Sequence, residues 1–196
     1  MSGTTKRLGE ETSKNHQHRI DNGDYEKYFK GKGIDIGFKG YKSDVEPVAD
    51  SIGVEFDYPG YDGIHLPFDS ESLDYLHTSH CLEHIRTRLL RKVLPEWLRV
   101  LKVGGYMIIT VPHAFLYEKK EELPSKWNAD HKRFYTPASL LGEIEMWLEP
   151  NTYRVERLID NDRGFNYDIP VYEHSVGCYE IELILKKIKP PAWEIK

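Results

Sequence analysis

The chain has 196 residues, of which 39% are hydrophobic and 30% are charged, and its formal net charge at pH 7 is −5. This length and composition predict a single domain over residues 1–196 with a buried core, and the acidic balance argues against nucleic acid or an anionic membrane as a partner. The N-terminal residues lack the apolar stretch of a signal peptide, no apolar run approaches the about 18 residues of a membrane span, and the two cysteines make no disulfide framework, so a cytoplasmic location is expected.

The first elements in chain order are a polar segment and three strands. Residues 1–30 show little apolar pattern, so we interpret them as an N-terminal cap or flexible segment that ends in a short helix. The runs GIDIG, SIGVEFD and SLDYLHTS are compact and apolar, which is typical of buried strands. The first half of the chain therefore predicts three strands close together in sequence.

A long helical pattern follows these strands. Leucines and valines recur at helical spacing from Cys81 to Lys102, and Pro95 predicts a division into two helices because proline removes a helical hydrogen bond. The run YMIITVP predicts a strand, and Thr136 followed by Pro137 predicts the N-cap and the first residue of another helix. Two late strands, TYRVERLID and GCYEIELILKKI, complete the pattern.

This order of elements predicts an α/β fold. Strands that alternate with helices indicate a mostly parallel sheet with helices on both faces, and the long alternating C-terminal run indicates an antiparallel edge strand. In such sheets, ligands bind beyond the carboxyl ends of the strands. Functional residues are therefore expected directly after the strands.

Glycines and acids stand at these positions. Asp35-Ile36-Gly37-Phe38-Lys39-Gly40 follows the first strand, where glycine lets the backbone approach a ligand closely, although a plain turn has the same pattern. Asp57 ends the second strand, where a doubly wound fold binds ribose hydroxyls with an acid, although taken alone this residue is better interpreted as a solvated turn residue. LPFDSESLDYL, LEH and LRVLKVGG come next in the chain.

From about Gly33 to Pro112, these motifs resemble class I S-adenosylmethionine-dependent methyltransferases, of the type 11 group that includes enzymes acting on small molecules and sugars. The resemblance implies a Rossmann-like sheet and S-adenosylmethionine as cofactor, with S-adenosylhomocysteine as product. It implies that Asp57 holds the ribose, that Asp62 meets the adenine, and that Ser79 lies near the methionine. The complete set of cofactor-binding residues that it implies is Asp35, Gly37, Phe38, Gly40, Asp57, Tyr58, Asp62, Gly63, Ile64, Ser79 and His80.

The chain departs from this family after the second strand. Only four residues separate Asp57 from Asp62, whereas a parallel crossover needs about a dozen or more. The helix that usually follows the second strand must therefore be missing. Either a third strand is vestigial or the sheet is trimmed at that edge.

The stretch HCLEH, residues 80–84, allows a second interpretation. It has the order H-x-x-E-H of a zinc-peptidase group, so a metal-dependent hydrolase that uses His80 and His84 is an alternative function. The flanking motifs favour the methyltransferase, and we assign no metal ligand, although a divalent metal that assists a hydroxyl acceptor remains an option. A cofactor-binding regulatory domain without catalysis is a further alternative.

The proposed chemistry is O-methylation of a sugar, glycan or other small hydroxylated acceptor, with N-methylation as a variant. A hydroxyl acceptor benefits from a base of near-neutral pKa, for which histidine is the natural choice. The candidate catalytic residues are His84, His113, His131 and Asp130. The aromatic-bearing segments 114–135 and 161–172 are predicted to form the acceptor site. The acceptor's identity and the oligomeric state stay open.

Overall fold

The predicted alternation of strands and helices is present in the computed structural model, which describes residues 7–40 and 44–192. Residues 1–6 of the predicted N-terminal segment lie outside the described residues. The helices are α1 (Glu10–Asp21), α2 (Asp24–Tyr28), α3 (Thr87–Val100) and α4 (Pro137–Trp147). The strands are β1 (Gly33–Ile36), β2 (Ile52–Val54), β3 (Leu73–Ser79), β4 (Leu101–Pro112), β5 (Tyr153–Asn161) and β6 (Glu180–Lys187). Within the described ranges, no helix is long and apolar enough to cross a membrane.

The six strands form one sheet in the order β2-β1-β3-β4-β6-β5. The first four are parallel, and β6 pairs antiparallel with both β4 and β5. The predicted α/β fold with a mostly parallel sheet and an antiparallel edge is confirmed. The edge itself is formed by β5, because the C-terminal strand β6 is inserted between β4 and β5.

Helices cover both faces of the sheet, as predicted. On one face, α3 and α4 bury Trp97, Leu140 and Ile144 against strand residues such as Ile36 and Met107. On the other face, α2 and its flank pack against a smaller apolar cluster. The members of this second cluster are Tyr28, Phe29, Val48, Tyr75, Ile108 and Ile184.

The sheet is trimmed at the β2 edge. The described residues between β2 and β3 form turns and bends without a helix, so the predicted loss of that helix is confirmed. Since β2 has only β1 as a neighbour, the structure selects the trimmed sheet over a vestigial third strand. The turns that replace the missing helix lie next to the carboxyl ends of β1 and β2.

The helix α3 is uninterrupted, so the predicted division at Pro95 is wrong. Pro95 is exposed, and its neighbours Leu94 and Trp97 are completely buried. An interior proline costs a helix about 3 kcal/mol, whereas full burial of each large apolar side chain contributes about 1.5–3 kcal/mol. Packing of α3 on the sheet therefore outweighs the lost hydrogen bond.

The polar helix α1 occupies part of the segment that we interpreted as a cap or flexible region. Its buried side chains are Thr12, Asn15 and Arg19, so it has no apolar stripe for a sequence pattern to reveal. The Arg19 guanidinium donates to Glu182 Oε2 at 3.1 Å and to His77 Nε2 at 3.2 Å. These buried contacts attach α1 to the centre of the sheet.

Loss of the Arg19 guanidinium should destabilise the fold strongly. Arg19→Met leaves Glu182 and His77 buried without one of their partners, and breaking a buried ion pair costs about 3 kcal/mol. We expect the free energy of unfolding in urea to fall by about this amount. The matched control is Lys27→Met, which removes an exposed cation 3.9 Å from Glu156 and should change stability little. Equal effects of the two variants would contradict the importance of the buried pair.

Candidate active site

A cavity of ≈ 370 Å³ opens at the carboxyl ends of β1 and β2, between the β2–β3 turns and the start of α3. This volume lies within the range of about 300–1,000 Å³ that is typical of small-molecule sites. Five residues from the sequence prediction line it: Gly37, Asp62, Gly63, Ile64 and His84. A cavity therefore lies beyond the carboxyl ends of β1 and β2, where the sequence predicts a ligand site.

The turn after β1 exposes the backbone of a glycine to the cavity. Gly37 has φ +76°, and a Cβ there would approach Cys81 Cβ to 2.9 Å, so glycine is required at this position. The Phe38 ring turns away from the cavity and packs over Gly40 and Gly53, whose added Cβ atoms would lie 1.9 and 2.4 Å from it. Phe38 and Gly40 thus support the turn, and only Gly37 of this group reaches the cavity.

Besides Asp62, the cavity wall carries a second acid, Glu55, which the sequence interpretation missed. The strand β2 ends at Val54, so Glu55 is the first residue beyond it, whereas Asp57 is exposed and does not line the cavity. Glu55 Oε1 accepts from the Lys39 N–H at 2.6 Å, and burial raises the pKa of this carboxyl. Tyr58 also lies outside the cavity, with its ring stacked on Phe68. The predicted strand runs three residues further, to Asp57, and for this reason the interpretation selects Asp57 instead of Glu55.

Asp62 shapes the turn that closes the cavity. Its Oδ1 accepts the backbone N–H groups of Ile64 at 2.8 Å and His65 at 2.7 Å, and its Oδ2 lies 2.8 Å from His65 Nδ1. The hydrogen bond from His65 holds the pKa of Asp62 well below its usual value. Gly63 has φ +87° and faces the Phe56 ring, so the turn presents backbone to the cavity.

A narrow crevice of ≈ 10 Å³ lies on the other side of Gly37. Ser79, His80 and the first residues of α1, from Gly9 to Thr12, form its walls. The buried Ser79 Oγ has no hydrogen-bond partner among the described residues. Asp35 reaches neither the crevice nor the cavity, because its carboxylate is buried on the α1 face and accepts from His77 Nδ1 at 2.7 Å.

His80 is surrounded by carboxylates. Its Nε2 lies 2.9 Å from Glu180 Oε1 and 3.8 Å from Glu11 Oε2, and its Nδ1 lies 4.0 Å from Glu83 Oε1. Burial alone would lower the pKa of His80, but the hydrogen bond to Glu180 and the charges of the three acids raise it. The His80 imidazolium therefore joins α1 to β3 and β6.

The stretch HCLEH does not form the helix that a zinc peptidase needs. Residues Leu82–His84 make one 3-10 turn, and α3 begins only at Thr87. His80 points to Glu180 and Glu11, whereas His84 lies on the opposite side of Glu83, at the wall of the cavity. Both histidines approach Glu83 Oε1, His80 at 4.0 Å and His84 at 3.6 Å, but among the described residues they belong to different groups of potential metal ligands.

Glu83 stands between His84 and His131. Its side chain has 0% exposure, and neither carboxylate oxygen has a hydrogen-bond partner among the described residues. Glu83 Oε1 lies 3.6 Å from His84 Nε2 and 3.8 Å from His131 Nε2. The two imidazole rings meet edge to face with their centroids 4.9 Å apart. The structure therefore brings two predicted catalytic histidines together around a buried acid.

Backbone and side-chain hydrogen bonds attach the His131 segment to this turn. The Lys132 N–H donates to Glu83 O at 2.8 Å, and the Arg133 guanidinium donates to Leu82 O at 3.0 Å. His131 Nδ1 lies 2.7 Å from Glu118 Oε1. The Asp130 side chain is exposed, with Lys132 as its charged neighbour at 3.9 Å, whereas its backbone is hydrogen-bonded to His84. Of the two adjacent candidates, only His131 faces Glu83.

His113 lies away from the cavity and acts as a helix cap. Its Nδ1 accepts the N–H groups of Phe115 at 3.1 Å and Leu116 at 3.3 Å, at the start of the short helical turn Ala114–Glu118. Its Nε2 lies 3.4 Å from Asp160 Oδ1 on the edge strand β5. Burial lowers the pKa of His113. The structure does not bring this histidine to His84 and His131.

The two aromatic-bearing segments meet beside His131. Lys126 donates to Val171 O at 2.9 Å and so joins segment 114–135 to segment 161–172. The Tyr117 ring contacts those of His131 and Tyr179, with centroids 5.5 and 5.0 Å away. Aromatic side chains therefore surround the side of the histidine pair that lies opposite the cavity wall.

The raised pKa of His80 gives stability a defined pH dependence. Below the unfolded-state pKa of about 6.5 the stabilisation is fully present, and it is lost as the pH rises through the higher folded-state value. The free energy of unfolding in urea, measured from about pH 6 to about pH 9, should therefore fall more steeply for the wild type than for His80→Gln. Glutamine can still donate to Glu180 but does not titrate. Parallel pH profiles for the two proteins would contradict this assignment.

Comparison with known proteins relates the chain to one family. Residues 32–109 match the family described as a methyltransferase domain. A S-adenosylmethionine-dependent methyltransferase from Archaeoglobus fulgidus is similar to this chain with 17% identity and a TM-score of 0.51, over 88% of this chain and 94% of its own. One from Aquifex aeolicus has 13% identity and a TM-score of 0.51, over 92% of this chain and 100% of its own. A search of curated proteins gave no match.

The solved structures, at this low identity, establish the common fold. The family match adds the motifs on β1, β3 and β4 and the segments that line the cavity. Residues 32–109 therefore match the methyltransferase-domain family, and the chain as a whole has the fold of solved S-adenosylmethionine-dependent methyltransferases.

Proposed function

We propose that this protein methylates a hydroxyl oxygen of a small, sugar-like acceptor and that His84 assists the loss of the hydroxyl proton. One observation carries the proposal. Of the three candidate histidines, His84 is the one that lines the cavity, and 33% of its side chain is exposed. His131 stands directly behind it, whereas His113 caps a turn elsewhere.

The residues of the cavity fit the adenosine part of the cofactor. The Glu55 carboxylate is positioned for ribose hydroxyls, because it follows the second strand, where such folds bind them. Gly37 offers close backbone approach, and the turn from Asp62 to Ile64 offers backbone and a carboxylate for the adenine. The cavity volume of ≈ 370 Å³ accommodates a ligand of this class.

The polar groups of the crevice suit the methionine part of the cofactor, but the crevice must widen to admit it. The unpartnered Ser79 Oγ and the adjacent His80 and Glu10 provide donors and acceptors for an ammonium and a carboxylate. A volume of ≈ 10 Å³ holds about one water molecule at most. The segment Gly9–Thr12 must therefore shift when the cofactor binds.

The cofactor supplies a methyl group on a sulfonium, which needs alignment with the acceptor more than activation. Burial lowers the pKa of His84, so its imidazole is neutral at pH 7. In this form histidine can assist proton loss from a hydroxyl. Glu83, directly behind the ring, stabilises positive charge that develops there.

A ring-bearing polar acceptor suits the aromatic surroundings of this site. Tyr117 and His174 contact each other with ring centroids 5.4 Å apart, and Trp127 contacts His174 at 5.1 Å. The buried Trp127 Nε1 has no hydrogen-bond partner among the described residues. Aromatic faces and free donors are the groups that a sugar or glycan acceptor uses.

Substitution of Glu55 tests whether its carboxylate binds the cofactor. Glu55→Gln should weaken the binding of S-adenosylhomocysteine at least about tenfold, because a charge-assisted hydrogen bond contributes about 1.5–3 kcal/mol. The matched control is Asp57→Asn, which removes an exposed carboxylate two residues away and should leave the dissociation constant nearly unchanged. Isothermal titration calorimetry measures both. If Asp57→Asn were the weaker binder, the ribose acid would be Asp57.

Transfer of a tritiated methyl group to nucleotide-sugars, free glycans and small phenols tests the activity. With an accepted substrate, His84→Ala should lower kcat by about 100-fold or more, the usual contribution of general acid–base assistance. His113→Asn is the control, because asparagine can still cap the turn Ala114–Glu118, and it should retain activity. Cofactor binding without transfer to any hydroxylated compound would instead support a non-catalytic regulatory domain.

A further inference from the structure

The carboxylate of Glu83 is the most unusual buried group in the described part of the chain. It is completely buried, yet both oxygens lack a hydrogen-bond partner. Buried carboxylates are normally paired with a cation or saturated with hydrogen bonds. The nearest imidazole nitrogens of His84 and His131 stand at 3.6 and 3.8 Å, too far for hydrogen bonds and arranged around the same oxygen.

The two distances from Glu83 Oε1 to the histidine nitrogens are close to those between neighbouring ligand atoms of a metal ion. The ligand atoms of Glu83, His84 and His131 all lie within 4.8 Å of one another. Ligand atoms about 2.0–2.2 Å from a tetrahedral Zn²⁺ are about 3.3–3.6 Å apart. The separations from Glu83 Oε1 to His84 and His131, 3.6 and 3.8 Å, need to contract by at most about half an ångström to reach this range. Two histidines and one glutamate are also a ligand set that leaves a fourth position open.

The surroundings of His131 prepare its Nε2 as a ligand. Its Nδ1 faces Glu118 Oε1 at 2.7 Å, so Nδ1 carries the proton and the Nε2 lone pair points to Glu83. Glu118 is held in turn by the Ser125 hydroxyl at 2.7 Å and the Lys126 N–H at 3.2 Å. A carboxylate behind a histidine is the usual outer partner of a metal-bound imidazole.

We propose that Glu83, His84 and His131 bind a divalent first-row transition ion, with Zn²⁺ as the representative cation. His80 does not belong to this site, because its Nε2 is hydrogen-bonded to Glu180. The partly exposed His84 provides the access from the cavity. The ion neutralises the orphan carboxylate, and Glu118 balances the remaining positive charge.

The role of the ion in catalysis rests on the proposed function, although its binding does not. A hydroxyl oxygen of the acceptor at the fourth position would be acidified by the cation and would lose its proton to solvent more readily. His84 would then assist by holding the ion at its Nε2. The site thus selects acceptors whose hydroxyl can reach the wall between the cavity and the aromatic cluster.

Metal binding to the full chain tests the inference. Calorimetric titration of chelator-treated protein with Zn²⁺ should show one equivalent bound, and Co²⁺ should give the visible absorption bands of a tetrahedral N/O site. His84→Ala and His131→Ala should each weaken Zn²⁺ binding by about 100-fold or more, and Glu118→Gln by about 10- to 100-fold. His113→Asn, which alters a histidine that caps the turn Ala114–Glu118 outside the ligand set, should keep the site.

Thermal unfolding of Glu83→Gln separates a lost ligand from a failed fold. Without metal, this variant should still unfold in one cooperative transition, which shows that it folds. With Zn²⁺, the wild type should gain stability and Glu83→Gln should not. No stoichiometric Zn²⁺ binding by the wild type, or full binding by both His84→Ala and His131→Ala, would overturn the inference.

Titration of the same metal-free protein with S-adenosylhomocysteine keeps the two proposals apart. Cofactor binding and methyl transfer without any Zn²⁺ binding would overturn the metal site and leave the methyltransferase function standing. Zn²⁺ binding that depends on Glu83 and His131, together with no transfer to hydroxylated acceptors, would support the metal site and overturn the proposed function.

Discussion

The buried pairing of Arg19 with Glu182 is the interaction on which the arrangement of the site depends. It allows α1, a helix without an apolar stripe, to cover one face of the sheet. Once α1 is docked, Glu11 reaches His80 at the end of β3, and the start of α1 closes the crevice beside Gly37. The site is therefore positioned by buried charges on one face and by an ordinary apolar core on the other.

Much of the sheet could be predicted because its strands are apolar runs with clear boundaries, and α4 because Thr136 and Pro137 form a strong start signal. The helix α1 could not be predicted in the same way, since the partners of its buried polar side chains are residues more than 50 positions away, such as His77 and Glu182. A local sequence pattern does not reveal pairs of polar residues so far apart in the chain.

In the site, too, local features could be predicted from the sequence, whereas contacts between distant segments could not. The glycine turn after β1 and the turn at Asp62 are local features, and both line the cavity. The choice of Glu55 over Asp57 depends on where β2 ends, a boundary that differs from the predicted one by three residues. The meeting of His84 with His131 depends on the hydrogen bond from Lys132 to Glu83, which no spacing in the sequence indicates.

The trimmed sheet leaves two edges, and each is protected from pairing with another sheet. At one end, β2 has only three residues, so it offers few free backbone groups as a template for aggregation. At the other end, β5 is nine residues long, but it carries an irregular register between Val155 and Arg157 and a series of charged side chains. The short length of β2 protects the edge beside the cavity, and charged side chains with a local bulge protect the β5 edge. Neither edge therefore needs a covering helix to disfavour pairing with another sheet.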